Sequence, residues 1–235
     1  MKTLTNGCII LDDLKFNLEH SKLCDELKIT SDIESNIVKE LIVEAKKIAS
    51  PKALLKKCNI EKKLNDSTIL GNEQFFSKVI RVNLSNELIA FPYIITAGTE
   101  LQKWCESKED KFVNKISEHI NQSILIRVHL ELQKFIENKF NTGSLARVNP
   151  GSTIDWDMKE LKKIFNILGD PKELIGVSLN DNFFMTPSKA YSGIYFHNET
   201  NYKNCLMCPG TDCPLREVPY DKNYYAENYQ NFIGM

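Results

Sequence analysis

Residues 107–137 carry an apolar stripe, Phe112, Ile116, Ile120, Ile124, Val128, Leu132 and Phe135, at spacings of three and four. That period places all of them on one face of an α-helix. No other element is as long, so the remainder of the chain has to arrange itself around this helix. Ser107 with Asp110 imitates a capping box at its start. His119 and His129 fall inside it. Lone helical histidines read as surface or satisfied core groups rather than as ligands.

Shorter periodic segments surround the long one. In residues 32–48, DIESNIVKELIVEAKKI, the positions Ile37, Leu41, Ile42, Ala45 and Ile48 repeat at helical spacing, with Ser31 or Asp32 placed to cap the start. Ser50-Pro51 ends that helix, and Pro51 suits the first position of a short helix after it. Residues 77–84 (SKVIRVNL) and 88–95 (LIAFPYII) read as two strands turning at Ser85-Asn86. Pro92 puts the second at an edge or strand end. Residues 140–153 (FNTGSLARVNPGST) gather Gly, Asn, Pro and Ser and read as a loop. Asp157, with Glu160 three residues on, caps a helix whose apolar face is Leu161, Ile164, Phe165 and Leu168, and Gly169-Asp170-Pro171 ends it. Short strands fit 174–179 (LIGVSL) and 191–196 (YSGIYF), and the polar, aromatic residues after Arg216 read as a loose tail. The fold class is α+β.

Composition narrows the function. The chain is 42% hydrophobic and 26% charged, the make-up of a globular protein. Its 235 residues suffice for one substantial core or two small lobes sharing one. Thirty Lys and Arg against 31 Asp and Glu argue against nucleic acid as a main partner. No apolar run reaches the length of a membrane span, and MKTLTNGCIILDDLKF lacks the apolar stretch of a signal peptide. Seven cysteines, four of them scattered singly (Cys8, Cys24, Cys58, Cys105), fit a reducing cytoplasm, which is the expected location.

The common catalytic signatures are missing: there is no G-x-S-x-G, no phosphate loop with lysine, no H-E-x-x-H and no dinucleotide fingerprint. The run Arg147-Val148-Asn149-Pro150-Gly151-Ser152 stands out instead. It sets a guanidinium beside a fixed backbone corner, and a guanidinium can grip a carboxylate through two parallel hydrogen bonds. Gly151 lets a ligand approach the backbone. A surface arginine before a turn is the plain alternative.

From Arg147 to Tyr202 the chain resembles the reactivation (activation) domain of cobalamin-dependent methionine synthase, in a stand-alone form found in anaerobes. Matching letters are Arg147, Pro150, Gly151, Gly176, Leu179, Met185, Pro187, Ser192, Gly193, Tyr195 and Phe196. Before them, ASPKAL and YIITAGTELQKW look like stand-alone members of the same superfamily. The resemblance implies an activation-domain-like fold, with a helical N-terminal half, a mixed or antiparallel sheet and flanking helices. Residues 1–140 would be the mainly helical part with a strand pair, 141–204 the core motif region, and 205–235 a Cys-rich segment and tail, all in one structural domain.

The resemblance also implies that the chain binds S-adenosylmethionine, docks over a cobalamin-carrying domain, and supports reductive methylation of inert cob(II)alamin. The electron would come from a flavodoxin- or ferredoxin-type donor, and the partner would be a cobalamin-dependent methionine synthase or another corrinoid protein. The chain would act by positioning, as an accessory subunit in methionine biosynthesis. Carried over by position, Arg147 binds the methionine carboxylate, the backbone around Asn149 and Gly151 contacts the ligand, and Tyr202 lies near the adenosyl group. Ser152 stands where the family has an aromatic ring, and the family's N-terminal acidic contact has no assignable match.

The segment CLMCPGTDCPLR places Cys205, Cys208 and Cys213 at C-x₂-C-x₄-C. Thiolates so spaced can converge on one metal, an iron–sulfur cluster or zinc. Zinc would need a fourth ligand such as His197 or a distant cysteine, and Arg216 could tune a cluster electrostatically. A relay cluster would suit an electron-requiring reaction. The rival functions are a non-catalytic corrinoid-protein-binding module carrying a metal or iron–sulfur centre, and a zinc-stabilised structural protein. Three free thiols in a proline-pinned turn is the plain alternative.

Overall fold

Ile89–Thr96, reading IAFPYIIT, forms the strand on which the sheet is centred. Its side chains alternate between two apolar cores: Phe91, Tyr93 and Ile95 enter one, Ala90 and Ile94 the other. A strand buried on both faces reads as a continuous apolar run rather than as an alternation, which is the pattern this one shows. The computed structural model describes residues 1–211 and 213–232.

In chain order the elements are β1 (Lys2–Thr3), β2 (Cys8–Leu11), α1 (His20–Leu27), α2 (Asp32–Ile48), β3 (Lys52–Lys56), β4 (Cys58–Lys63), β5 (Ser67–Leu70), β6 (Glu73–Phe76) and α3 (Lys78–Asn83). The central strand β7 (Ile89–Thr96) follows, then α4 (Thr99–Glu106), α5 (Lys111–Phe140), β8 (Leu145–Val148), α6 (Leu161–Leu168), α7 (Pro171–Ile175), β9 (Ser178–Leu179), β10 (Met185–Thr186) and β11 (Ala190–His197). Apart from the small β9–β10 pair, the strands join one antiparallel sheet. One edge of β7 pairs with β3 and then β4 in one continuous register, from Lys52 opposite Thr96 to Asn59 opposite Ile89. The other edge pairs with β11, which in turn carries β8. The fold is α+β, as expected, and the N-terminal half contributes strands as well as helices.

Helices α1, α2, α4 and α5 cover one face, and α3, α6, α7 and the C-terminal segment the other. The long helix seats Ile116, Ile120, Ile124, Leu125, Val128, Leu132 and Ile136 in the first core. Each such side chain contributes roughly 1.5–3 kcal/mol. Its cap is Asp110, whose carboxylate accepts from the Phe112 and Val113 amides at 2.9 Å each. Ser107 instead closes the preceding helix.

Several local expectations are corrected. Residues 78–83 are helix, not strand, because Ser77 caps them by accepting from the Ile80 amide while Asp155 accepts from Val79. The residues after Pro51 are a strand, not a helix. Pro92 lies in the central strand rather than at an edge. It is tolerated opposite the junction of β3 and β4, where the ladder is interrupted. Residues 171–175 are helix, started by Asp170 and Pro171, so only Ser178–Leu179 of the expected 174–179 strand forms. Part of the expected 140–153 loop is the edge strand β8. The tail is not loose throughout: Tyr229 is buried and its hydroxyl accepts from Asn83 at 3.1 Å.

Candidate functional site

β8 is the outermost strand beyond β11, and alternation turns Leu145, Arg147 and Asn149 toward the α5 face. Arg147 lies opposite Tyr195 in the β8–β11 register. It is only 15% exposed. Beneath it Tyr93 and Tyr195 pack with ring centres 4.5 Å apart and planes tilted by 30°, and the Tyr195 hydroxyl shares a hydrogen bond with the His129 ring at 3.0 Å. Burial pushes the Tyr93 hydroxyl up to about 12. Burial, with the nearby Arg147 charge, drives His129 down to about 3. Both are neutral at pH 7, so this floor is polar but uncharged. His129 is thus a satisfied core histidine that also borders the site.

Gly193 explains why the floor is open. A Cβ there would strike the Val148 carbonyl oxygen and stand 2.6 Å from Asn149 Nδ2. The missing side chain leaves room for the Asn149 amide, which donates to the Tyr93 hydroxyl at 3.1 Å and to the Ser192 carbonyl at 2.7 Å. The turn after Asn149 closes as the Gly151 amide donates to the Trp156 carbonyl at 2.7 Å, with Gly151 at φ +76°. Ser152 is buried, its hydroxyl donating to the Asn149 carbonyl. The hydroxyl of Ser192 is buried without a partner among the described residues, and Ser192 borders the site.

The cysteine segment folds across this floor. Asn204 ties it down, its Oδ1 lying 3.2 Å from Ser152 Oγ and accepting from the Tyr202 hydroxyl at 3.1 Å. Arg216 organises the segment by donating to the carbonyls of Cys205, Cys208, Gly210 and Val218. Its structural work is therefore on backbone. Under the segment lie two cavities, one of about 230 Å³ reaching Asn149, Pro150, Cys208 and Cys213, and one of about 360 Å³ reaching Tyr202, Lys203 and Glu217. Arg147, His129, Asn204, Cys205 and Leu215 border both. Arg147 is thus the shared wall of a two-part cleft.

Of the residues read from sequence, Arg147, Asn149, Cys205, Cys208 and Cys213 come together in the smaller cavity. Tyr202 borders the larger one, but its ring packs on Phe196 at 5.7 Å in the second core. Gly151 shapes the turn without bordering either cavity.

All seven cysteines are free. Among the described residues, the three sulfurs do not gather as ligand atoms within 4.8 Å of one another. Cys205 Sγ accepts from the Glu217 amide at 3.4 Å. His197 Nδ1 lies 3.5 Å from Glu87 and 3.8 Å from Glu199.

Glu217 had no sequence signal. One of its oxygens lies 3.4 Å from Arg147 Nη1 and the other accepts from Lys203 Nζ at 2.6 Å. Burial alone would raise its carboxyl, but the Lys203 hydrogen bond and the Arg147 charge hold it below the usual carboxylate range.

No family model and no curated protein matches the chain. Among solved structures, it is similar to the crystal structure of the MetH reactivation domain bound to AdoHcy, with a TM-score of 0.59. The two are 13% identical, and the match covers 84% of this chain and 80% of that one. At that identity the likeness is one of fold, and at that level it bears out the resemblance read from Arg147 to Tyr202. Among the described residues, no helix is long and apolar enough to cross a membrane.

Proposed function

We propose that this chain binds S-adenosylmethionine in the cleft at Arg147 and supports reactivation of a cobalamin-dependent methionine synthase or a related corrinoid protein. The observation that carries the reading is a cleft walled by Arg147 in a fold shared with a reactivation domain crystallised with AdoHcy. The Arg147 guanidinium holds the methionine carboxylate through paired hydrogen bonds. The backbone at Asn149 and the Ser192 hydroxyl, which has no partner among the described residues, offer further contacts. When bound, S-adenosylmethionine supplies the methyl group, and cob(II)alamin on the partner takes one electron from a flavodoxin- or ferredoxin-type donor.

The chain's own part is positioning. Its buried His129 and Tyr93 are held neutral, which suits a site that orders a methyl donor rather than moves protons. Ordering of this kind lowers a barrier by proximity alone.

Anaerobic reconstitution tests the proposal. The corrinoid-carrying fragment of a cobalamin-dependent methionine synthase, poised as cob(II)alamin, is mixed with reduced flavodoxin and methyl-labelled S-adenosylmethionine. Label is expected in cobalamin only when this chain is present. Equal labelling without it, or none with it, refutes the reading.

A further inference from the structure

The Arg147 guanidinium already faces a carboxylate, and that carboxylate belongs to the chain itself. Glu217 Oε1 approaches Arg147 Nη1 at 3.4 Å, a single long contact rather than the paired, shorter bonds a guanidinium can make. Lys203 holds the other oxygen at 2.6 Å. Arg147 is nearly buried, whereas the Lys203 and Glu217 side chains are 35% and 43% exposed. The pair can therefore be opened from the Glu217 side without disturbing the sheet.

Glu217 is also fixed to the cysteine segment. Its amide donates to Cys205 Sγ, and its neighbour Arg216 gathers the carbonyls of Cys205 and Cys208. Whatever moves Glu217 thus pulls on the cover of both cavities, since Cys205 and Leu215 border each.

We propose that Glu217 is a latch: its carboxylate occupies the Arg147 guanidinium in the place of a ligand carboxylate and pins the cysteine segment over the cleft. Two carboxylates cannot both make the paired contact with one guanidinium, so a carboxylate-bearing ligand displaces Glu217, which Lys203 retains. Ligand entry and opening of the cysteine segment become one event. The ligand half of this statement rests on the S-adenosylmethionine reading above; the latch itself does not.

The test has two arms. In the ligand-free protein, Cys205 is 8% exposed, and its alkylation by N-ethylmaleimide is followed by peptide mass spectrometry. Glu217→Gln is expected to speed that alkylation about fivefold, the scale of losing a partly buried pair in a local opening. The fully buried Cys105 stays protected and reports that the fold is intact. Arg147→Lys opens the latch from the other side and is expected to act likewise. An unchanged Cys205 rate in both variants overturns the latch.

The second arm is calorimetry with S-adenosylmethionine. Glu217→Gln is expected to bind about threefold more tightly than wild type, because an internal competitor is gone. Weaker binding overturns the latch and makes Glu217 a direct contact for a cationic group of the ligand. If neither protein binds, the functional reading fails, and the alkylation rates alone decide the latch.

Discussion

Gly193→Ala concentrates the structural logic of the site in one methyl group. A Cβ at 193 strikes the Val148 carbonyl oxygen and comes within 2.6 Å of Asn149 Nδ2 and 3.3 Å of its Cγ. Neither neighbour retreats freely. Val148 is held in register opposite Ile194, and the Asn149 amide is bonded to the Tyr93 hydroxyl and the Ser192 carbonyl. Overpacking of a fixed backbone contact costs about 1–3 kcal/mol, and each disturbed hydrogen bond about 1 kcal/mol. Together they come to about 3–5 kcal/mol, or a fall in melting temperature of about 6–20 °C for a chain of this size. Circular dichroism melting measures it directly. Ser192→Ala is the control, since its hydroxyl has no partner among the described residues. It should melt close to wild type. If Gly193→Ala melts within about 2 °C of wild type, β8 does not pack on β11 as described and Arg147 is not placed by this strand pair.

His129 sets a pH dependence. Its folded form, held down to about 3 by burial and Arg147, refuses a proton that the unfolded chain accepts near pH 6.5. Its contribution is therefore complete above that pH and is lost as pH falls toward 3, by about 2 kcal/mol at pH 5. Urea unfolding should show His129→Gln losing less stability than wild type between pH 7 and pH 5; equal losses contradict the burial. Arg216→Lys replaces a planar fork by a point charge that cannot hold four carbonyls. Limited proteolysis within 205–216 should accelerate while melting shifts by about 3 °C or less; unchanged cleavage contradicts that role. Ile124→Ala, in the middle of α5 and fully buried, should cost about 2–5 kcal/mol in denaturant unfolding, and a change under about 1 kcal/mol would place that face outside the core.

Long periodic elements were legible from residues alone. Asp32–Ile48 forms with Ser31 as its cap, and the stripe from Ile116 to Leu132 is buried. Some short elements were not, because β-branched content outweighed the caps, whereas the helix Leu161–Leu168 and the strands Ile89–Thr96 and Ala190–His197 were read in place. In SKVIRVNL, Val79, Ile80 and Val82 suggest a strand, yet Ser77 caps a helix whose buried side faces the second core. In the same way Asp170-Pro171 signals a helix start as well as a stop.

The site was half legible. Arg147 and Asn149 share a strand end with a recognisable loop, so they could be read together. Glu217 could not, because its 70-residue separation from Arg147 is bridged only by folding. The cysteine spacing suggested a metal turn. In the fold that turn borders the cleft, and Arg216 gathers its carbonyls.

Titration calorimetry of S-adenosylmethionine into the intact protein and into Arg147→Ala bears most directly on the cleft. Saturable one-to-one binding to wild type is expected, with at least about tenfold weaker binding once the charged hydrogen bonds to the carboxylate are removed. Binding of equal strength to both proteins, or no heat with either, contradicts an S-adenosylmethionine site at Arg147.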